Sequence, residues 1–338
     1  MSAPDAFVAP REANVPRSYS LDAEGRLRRD LAPRELVEAL GGDGHLWLDV
    51  DSGNRAQVAI LEKVFGFHPL AIEDTLNPEN RAKVEDYGDY LFLVVRGIRF
   101  IDETEDPYDL ETFNLYFFLG RNYLVTVHAR HSSSIDTVAE RIDRSPEIMA
   151  RGAQRLLHAI VDAAIDAYFP IIDQLDEFMD GLEERVFARF DQTALRDIFA
   201  VKRCTLTLRR HLAPQREVFN ILTNRPSSLL SSETQVYFRD VHDHVLRINE
   251  SLETYRDLLG STLDSYLMQV SNRLGTVTKA LSVVATLSIP FVVVSGMWGM
   301  NFDVIPLSTA PGGFWIMLAA QAGVGAGLLG YLRWRGWL

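Results

Sequence analysis

Three features of the amino-acid sequence predict an α+β membrane protein: an N-terminal cytoplasmic α/β domain with a mixed sheet, a long helical stalk, and two C-terminal transmembrane helices. Strand and helix signals alternate from Leu21 to Arg144. Apolar residues then recur at steps of three and four from Ser232 onward, and two uncharged runs lie near the end. A chain of 338 residues exceeds what one compact core usually holds, so at least two structural units are expected. Its 46 acids against 34 Lys and Arg give a net charge of -12, which argues against a nucleic-acid binder. Cys204 is the sole cysteine, which excludes a disulfide scaffold or a cysteine-cluster zinc site.

Residues 1–20 read as a flexible N-terminus. They carry Pro4, Pro10 and Pro16, charges of both signs and no apolar stretch, so no signal peptide is expected. Residues 21–150 read as the cytoplasmic α/β domain. His45 to Asp51 alternates as a strand and Asn54 to Phe65 as a helix opened by polar capping residues. Tyr90 to Phe100 and Thr112 to Leu119 are β-branched and aromatic runs, and Gly120-Arg121-Asn122 turns the second into a further strand, Tyr123 to His128. Residues 151–231 read as an acidic helical hairpin, its first helix interrupted at Pro170 and its second running from Thr193 to Leu222.

Residues 232–298 read as one stalk helix entering the membrane. Its seam includes Val241, Val245, Ile248, Leu252, Tyr255, Leu259 and Tyr266. Unbroken, the helix would be roughly 100 Å long, more than one subunit could bury, which implies partner subunits. Ala280–Trp298 and Phe314–Leu332 each hold 19 residues without a charge or a histidine. At about 1.5 Å per residue each reaches about 28 Å, a bilayer's hydrocarbon thickness. Residues 299–313 form an extracytoplasmic loop, 314–332 the second span and 333–338 a cytoplasmic tail. Arg273, Lys279, Arg333 and Arg335 flank the spans while the loop has no Lys or Arg, so both termini are expected in the cytoplasm of a plasma (inner) membrane protein.

A second stripe shares the stalk helix: Asp264, Ser271, Gly275, Thr278, Ser282, Ala285 and Ile289. Small residues allow helices to pack closely in lipid. An acid among hydroxyls also suits a water-filled path, and a ring of copies could enclose one. Leu281 and Ile289 are its candidate apolar constrictions.

Directly after the first span stands Gly299-Met300-Asn301. Around it lie Tyr237-Phe238-Arg239-Asp240-Val241, Thr254-Tyr255-Arg256-Asp257, Val270-Ser271-Asn272-Arg273 and a terminal Arg335-Gly336-Trp337-Leu338. From His68-Pro69-Leu70 onward this ordered set resembles the CorA family of divalent-cation transporters, in the superfamily that includes ZntB. The resemblance implies a ring-shaped homopentamer in the lipid bilayer, with Asn301 at the outer pore mouth and Gly299, Met300 and Asn301 as the selectivity filter. It also implies a regulatory metal site between subunits at Glu73, Asp74, Asp162 and Asp240. Mg²⁺ is then both cargo and regulator, with Co²⁺ and Ni²⁺ as passengers and no organic cofactor. The triplet has its own chemistry: Mg²⁺ gives up water reluctantly, so uncharged amide and carbonyl acceptors can hold the hydrated ion and still release it.

Gly275 and Thr278 stand where magnesium-transporting members place an Asn and a Met, and the loop lacks their Met-Pro-Glu stretch. Val304-Ile305-Pro306-Leu307 and Pro311-Gly312-Gly313-Phe314-Trp315 are similar to ZntB instead. Zn²⁺ transport coupled to protons is therefore the alternative, and a membrane-tethered metal sensor that does not conduct is a rival from another class. Gly325-Ala326-Gly327-Leu328-Leu329-Gly330 spells a dinucleotide fingerprint inside an uncharged run, where Gly323 and Gly327 suit helix packing against the first span. His242 and His244, two apart on a helix, face different directions and are set aside as joint ligands. No catalytic constellation is present, so no enzyme is expected.

Overall fold

The computed structural model describes residues 15–100, 110–188, 191, 193–301, 305–307 and 309–337. Its elements in chain order are β1 (Arg17–Leu21), β2 (Leu27–Arg29), α1 (Pro33–Gly41), β3 (His45–Asp51), α2 (Arg55–Lys63), α3 (Pro69–Thr75), β4 (Lys83–Asp86), β5 (Leu91–Phe100), β6 (Leu110–Leu119), β7 (Tyr123–His128), α4 (Ser133–Arg144), α5 (Glu147–Ala150), α6 (Ala153–Asp166), α7 (Phe169–Ala188), α8 (Ala194–Asn224), α9 (Ser232–Trp298) and α10 (Gly313–Trp334). The chain divides into two compact units. One comprises the chain up to Glu184 and from there on to Ser261 without 185–191; the other comprises Arg185–Asp191 and the chain from Thr262 onward.

In the first unit seven strands form one sheet in the order β2-β1-β3-β7-β6-β5-β4. Every pairing is antiparallel except β3 with β7, where Trp47 lies beside Leu124 and Val50 beside Val127. The sheet is mixed. Alternate residues sort to its two faces. Leu46, Leu48, Val50, Phe92, Val94, Tyr116, Phe118, Val125 and Val127 join Leu36, Leu61, Phe67 and Ala71 in the core under α1–α3. The other face, with Trp47, Asp49 and Thr126, is covered by α6, whose Leu156, Leu157, Ile160, Val161, Ala164 and Ile165 are buried.

Local chemistry sets several boundaries. The Asn54 side chain accepts from the N–H groups of Ala56 and Gln57, which starts α2. Pro33 and Pro69 occupy the first turns of α1 and α3, where the missing N–H costs no helical bond. Gly120 closes the β6–β7 hairpin because a Cβ there would run into the Tyr123 ring. Pro170 falls at the start of α7, so the interruption expected there is the break between Asp166 and Phe169.

Two expectations are corrected. Residues 17–20 are not flexible: β1 is paired on both sides, the Leu31 N–H donates to Ser18 Oγ at 2.7 Å, and Tyr19 stacks on Trp47 at 5.3 Å. These long-range partners are invisible to local propensity. Residues 1–14 lie outside the described residues. The helix α6 also belongs to the sheet's layer and not to a separate acidic hairpin, because its apolar face is wide enough to cover the strands.

In the second unit α9 continues through Gly275 and Pro290 without interruption. The two C-terminal transmembrane helices are the end of α9 and α10, each with an 18-residue window only 6% buried inside the chain. They meet closely at Gly325, where a Cβ would come within 2.7 Å of the Phe291 ring. Gly323 and Gly327, expected to pack against the first span, have nothing within 4 Å of a built Cβ, so the tight contact sits on the neighbouring face. Gln321 Nε2 donates to Ser295 Oγ at 3.4 Å and Lys279 Nζ to the Gly336 carbonyl at 2.9 Å.

Candidate ion pathway and metal centre

The contacts of α10 fix the facing of α9. At about 100° per residue, Lys279, Val283, Phe291 and Ser295 point into one broad sector. Asp264, Ser271, Gly275, Thr278, Ser282, Ala285 and Ile289 fall in an arc of about 80° on the opposite side, with Leu281 about 40° beyond its edge. Asp264, Ser271, Gly275, Thr278, Leu281 and Ile289 are exposed, while Ser282 and Ala285 are half-buried. The stripe is therefore not used for packing against α10. Leu274, Val277, Leu281, Val284 and Val292 are also exposed, more apolar surface than a lone helix leaves in water.

Gly299-Met300-Asn301 lies where α9 ends. The Gly299 N–H still bonds back to the Ser295 carbonyl at 3.0 Å, the Met300 N–H reaches Met297 at 3.3 Å, and Asn301 is exposed and outside the helix. Phe302, Asp303, Val304 and Ser308 of the loop lie outside the described residues.

In the first unit, Asp162 on α6 and Asp240 on α9 converge with His244, one turn along from Asp240. One ligand atom from each lies within 4.8 Å of the others. Asp166, one turn from Asp162, stands 3.3 Å from His244 Nδ1. Burial, followed by the nearby charges of Asp166 and Asp240, pushes the Asp162 carboxyl above its ordinary range despite the opposing pull of His244. Excess negative charge of this kind is relieved by a divalent cation. Two carboxylates with water suit Mg²⁺, and the imidazole adds a donor that Co²⁺, Ni²⁺ or Zn²⁺ favours more.

Of the four acids expected to bind a regulatory metal, the fold of one chain joins Asp162 and Asp240. Glu73 and Asp74 are carried on α3 and are not in that group. Glu73 is exposed, and Asp74 is held by Lys83 Nζ at 2.7 Å and by Asn80 Nδ2 at 3.1 Å. His244 was missed because it was weighed only against His242. The signal was the four-residue step from Asp240, which stacks two side chains on one helix face.

Known proteins match this organisation. The sequence profile of the CorA-like Mg2+ transporter protein family matches residues 42–333. A cobalt/magnesium transport protein CorA of Thermotoga maritima is 32% identical over 294 residues, covering 86% of this chain and 83% of that one. The complete structure of the CorA magnesium transporter from Methanocaldococcus jannaschii superposes with a TM-score of 0.82 at 20% identity, covering 95% of this chain and 98% of that chain. The ZntB cytoplasmic domain from Vibrio parahaemolyticus superposes with a TM-score of 0.62 at 16% identity, covering 76% of this chain and 98% of that chain. The structural likenesses extend the fold across both units, and the profile and the sequence identity give the lineage: this chain belongs to the CorA-like Mg2+ transporter protein family.

Proposed function

We propose that the protein is a passive divalent-cation channel that takes up Mg²⁺, and with it Co²⁺ and Ni²⁺, across the plasma membrane as a homopentamer with both termini in the cytoplasm. The observation that carries this reading is the polar stripe on the face of α9 opposite α10, leading to Gly299-Met300-Asn301. A ring of copies turning that face inward would line a wet path with Asp264, Ser271, Gly275, Thr278, Leu281, Ser282, Ala285 and Ile289. Asn301 amides and Gly299 carbonyls would receive the hydrated ion at the outer mouth. Membrane voltage suffices as the drive: a divalent ion entering at -100 mV gains about 4.6 kcal/mol.

Feedback follows from the acids. Asp162, Asp240 and His244 would bind a cytoplasmic divalent ion, with Glu73 and Asp74 of a neighbouring copy completing the site and holding the ring closed. Loss of the ion leaves like charges to repel and the copies to separate. Flux into proteoliposomes carrying a Mg²⁺-sensitive dye tests the reading: entry should saturate, follow voltage and vanish in Asn301→Ala. Unchanged entry in that variant sinks the filter, and no flux from an intact oligomer favours a metal sensor that does not conduct.

A second reading has a specific observation behind it. The imidazole of His244 in the metal group favours a transition-metal ion, in keeping with the likeness to a ZntB domain. Zn²⁺ entry that collapses without an imposed pH gradient would replace Mg²⁺ uptake by proton-coupled Zn²⁺ transport.

A further inference from the structure

Beside the metal group lies a cavity of about 460 Å³ within the first unit, lined by Arg141, Arg144, Arg151, Arg155, His158 and Tyr237, among others. Two acids, Glu147 and Asp162, line it as well, so arginines outnumber carboxylates by two in a chain whose net charge is -12. Arg141 and Arg144 end α4, where positive charge complements the helix dipole. That account fails for Arg155, which stands in the first turn of α6, where a cation is disfavoured.

The Arg155 guanidinium lies over the Tyr237 ring at 3.3 Å from its centre, which fixes the plane of its donor fork. Its Nη1 is buried and meets no hydrogen-bond partner among the described residues. Among the described residues Arg144 pairs only with the exposed Glu140 at 3.3 Å, a contact that water screens. His158 closes the floor, edge-on to Tyr237 and Phe238 at 5.5 Å. An arginine fork presents only donors, and several converging forks match the oxygens of a phosphate better than a single carboxylate does.

The geometry points to a second ligand site in this protein: a cytoplasmic pocket for a small anion bearing two or more phosphates, gripped by the half-buried Arg155 with the exposed Arg141, Arg144 and Arg151 around its mouth. The size suits such a ligand, since small-molecule sites run from about 300 to 1,000 Å³. Free polyphosphate and a nucleotide share this chemistry. Because the site adjoins Asp162, the ligand would sit next to the proposed regulatory metal, but its binding can be read without transport.

The test is calorimetric titration of the full-length oligomer at constant ionic strength with pyrophosphate, tripolyphosphate and ATP, each with and without Mg²⁺. Saturable binding is expected, weakened about tenfold or more in the Arg151→Gln/Arg155→Gln double variant, given the strength of charged hydrogen bonds. Arg144→Gln, fully on the rim, should weaken it less, and Arg99→Gln, which only loses its partner Glu111 elsewhere, should leave it unchanged. Equal affinity for tripolyphosphate and ATP would identify polyphosphate as the ligand class; tighter ATP binding would add recognition of the nucleoside. Absence of binding by the wild type at millimolar concentration, or undiminished binding by the double variant with unaltered thermal unfolding, overturns the site. Dissociation of the oligomer on Arg151→Gln/Arg155→Gln, with no anion bound by the wild type, would instead assign the arginines to carboxylates of a neighbouring copy.

Discussion

Asp49 and His128 pair at 3.0 Å on the sheet face under α6, their side chains 10% and 15% exposed, with Thr126 Oγ1 donating to the same carboxylate at 2.6 Å. Burial works against both charges, but their hydrogen bond and mutual attraction prevail, so the imidazolium pKa is raised and the carboxyl pKa lowered. The signs define a window. The histidine's contribution is complete below its unfolded value of about 6.5 and is lost as pH rises through its raised folded value. The aspartate's contribution is complete above about 3.9 and is lost as pH falls through its lowered folded value. Denaturant unfolding should therefore show stability falling above neutral pH, and His128→Ala should cost about 3 kcal/mol near pH 6 and flatten that slope. An unchanged slope would mean that the pair titrates alike in the folded and unfolded states. Neither residue could be singled out from the sequence, since the strand HLWLDVD gives alternation but not which strand lies beside it. The candidate metal group divides in the same way: Asp162 and Asp240 were readable through a resemblance, while the four-residue step ties His244 to Asp240 and only the fold brings that pair to Asp162. His244→Ala should reduce the thermal protection given by Co²⁺ or Ni²⁺ several-fold and leave that given by Mg²⁺ nearly intact, because only the softer ions gain from a nitrogen donor. Equal losses for all three ions would make His244 a structural neighbour of the carboxylates.

At the scale of elements, legibility followed the range of the forces involved. The strands β5, β6 and β7 and the helix α2 were readable because a dense apolar pattern, a Gly-Arg-Asn turn and an Asn cap each act within a few residues. Asn54→Ala should cost about 1 kcal/mol of stability, checked by denaturant titration, since two N–H groups lose their acceptor. The short strands β1, β2 and β4 were missed because three to five residues carry too little apolar alternation to signal a strand: β2 and β4 are edge strands held by hairpin neighbours, Leu21 beside Leu27 and Asp86 beside Leu91, and β1 is completed by β3. The span contact shows the same limit, for Gly323 and Gly327, four apart, share one face of α10, and their spacing does not say whether that face or the one carrying Gly325 meets α9. Only the position of Phe291 selects Gly325. Gly325→Val should therefore loosen α10 from α9 and lower both thermal stability in detergent and flux, whereas Gly323→Ala should alter neither. Matching losses at the two positions would contradict the observed facing.

At the scale of the whole molecule, the question is what covers the stripe. Within one chain, α9 presents two unlike surfaces: apolar residues such as Val284, 59% exposed, and the polar arc through Ser271, Gly275 and Thr278. Lipid can cover the first; the second, from Asp264 to Thr278, precedes the span Ala280–Trp298 and needs water for its hydroxyls and its carboxylate, while Ser282 carries the same arc into the span, where lipid would leave its hydroxyl poorly satisfied. A ring of copies, as proposed above, would hold water against them and bring equal positions of neighbouring chains close to a common axis. Cys204 is buried, and replacing it with alanine leaves a chain in which a single introduced cysteine reports its own surroundings. In that background Ser271→Cys and Thr278→Cys should form disulfide-linked dimers under mild oxidation in membranes, because a ring with the arc turned inward would bring these positions of neighbouring chains toward disulfide reach. Val284→Cys, about 100° from the edge of the arc and turned toward lipid, should stay monomeric on a denaturing gel. The reverse pattern would place the polar arc outward, and no inward-facing path could then be built from this helix.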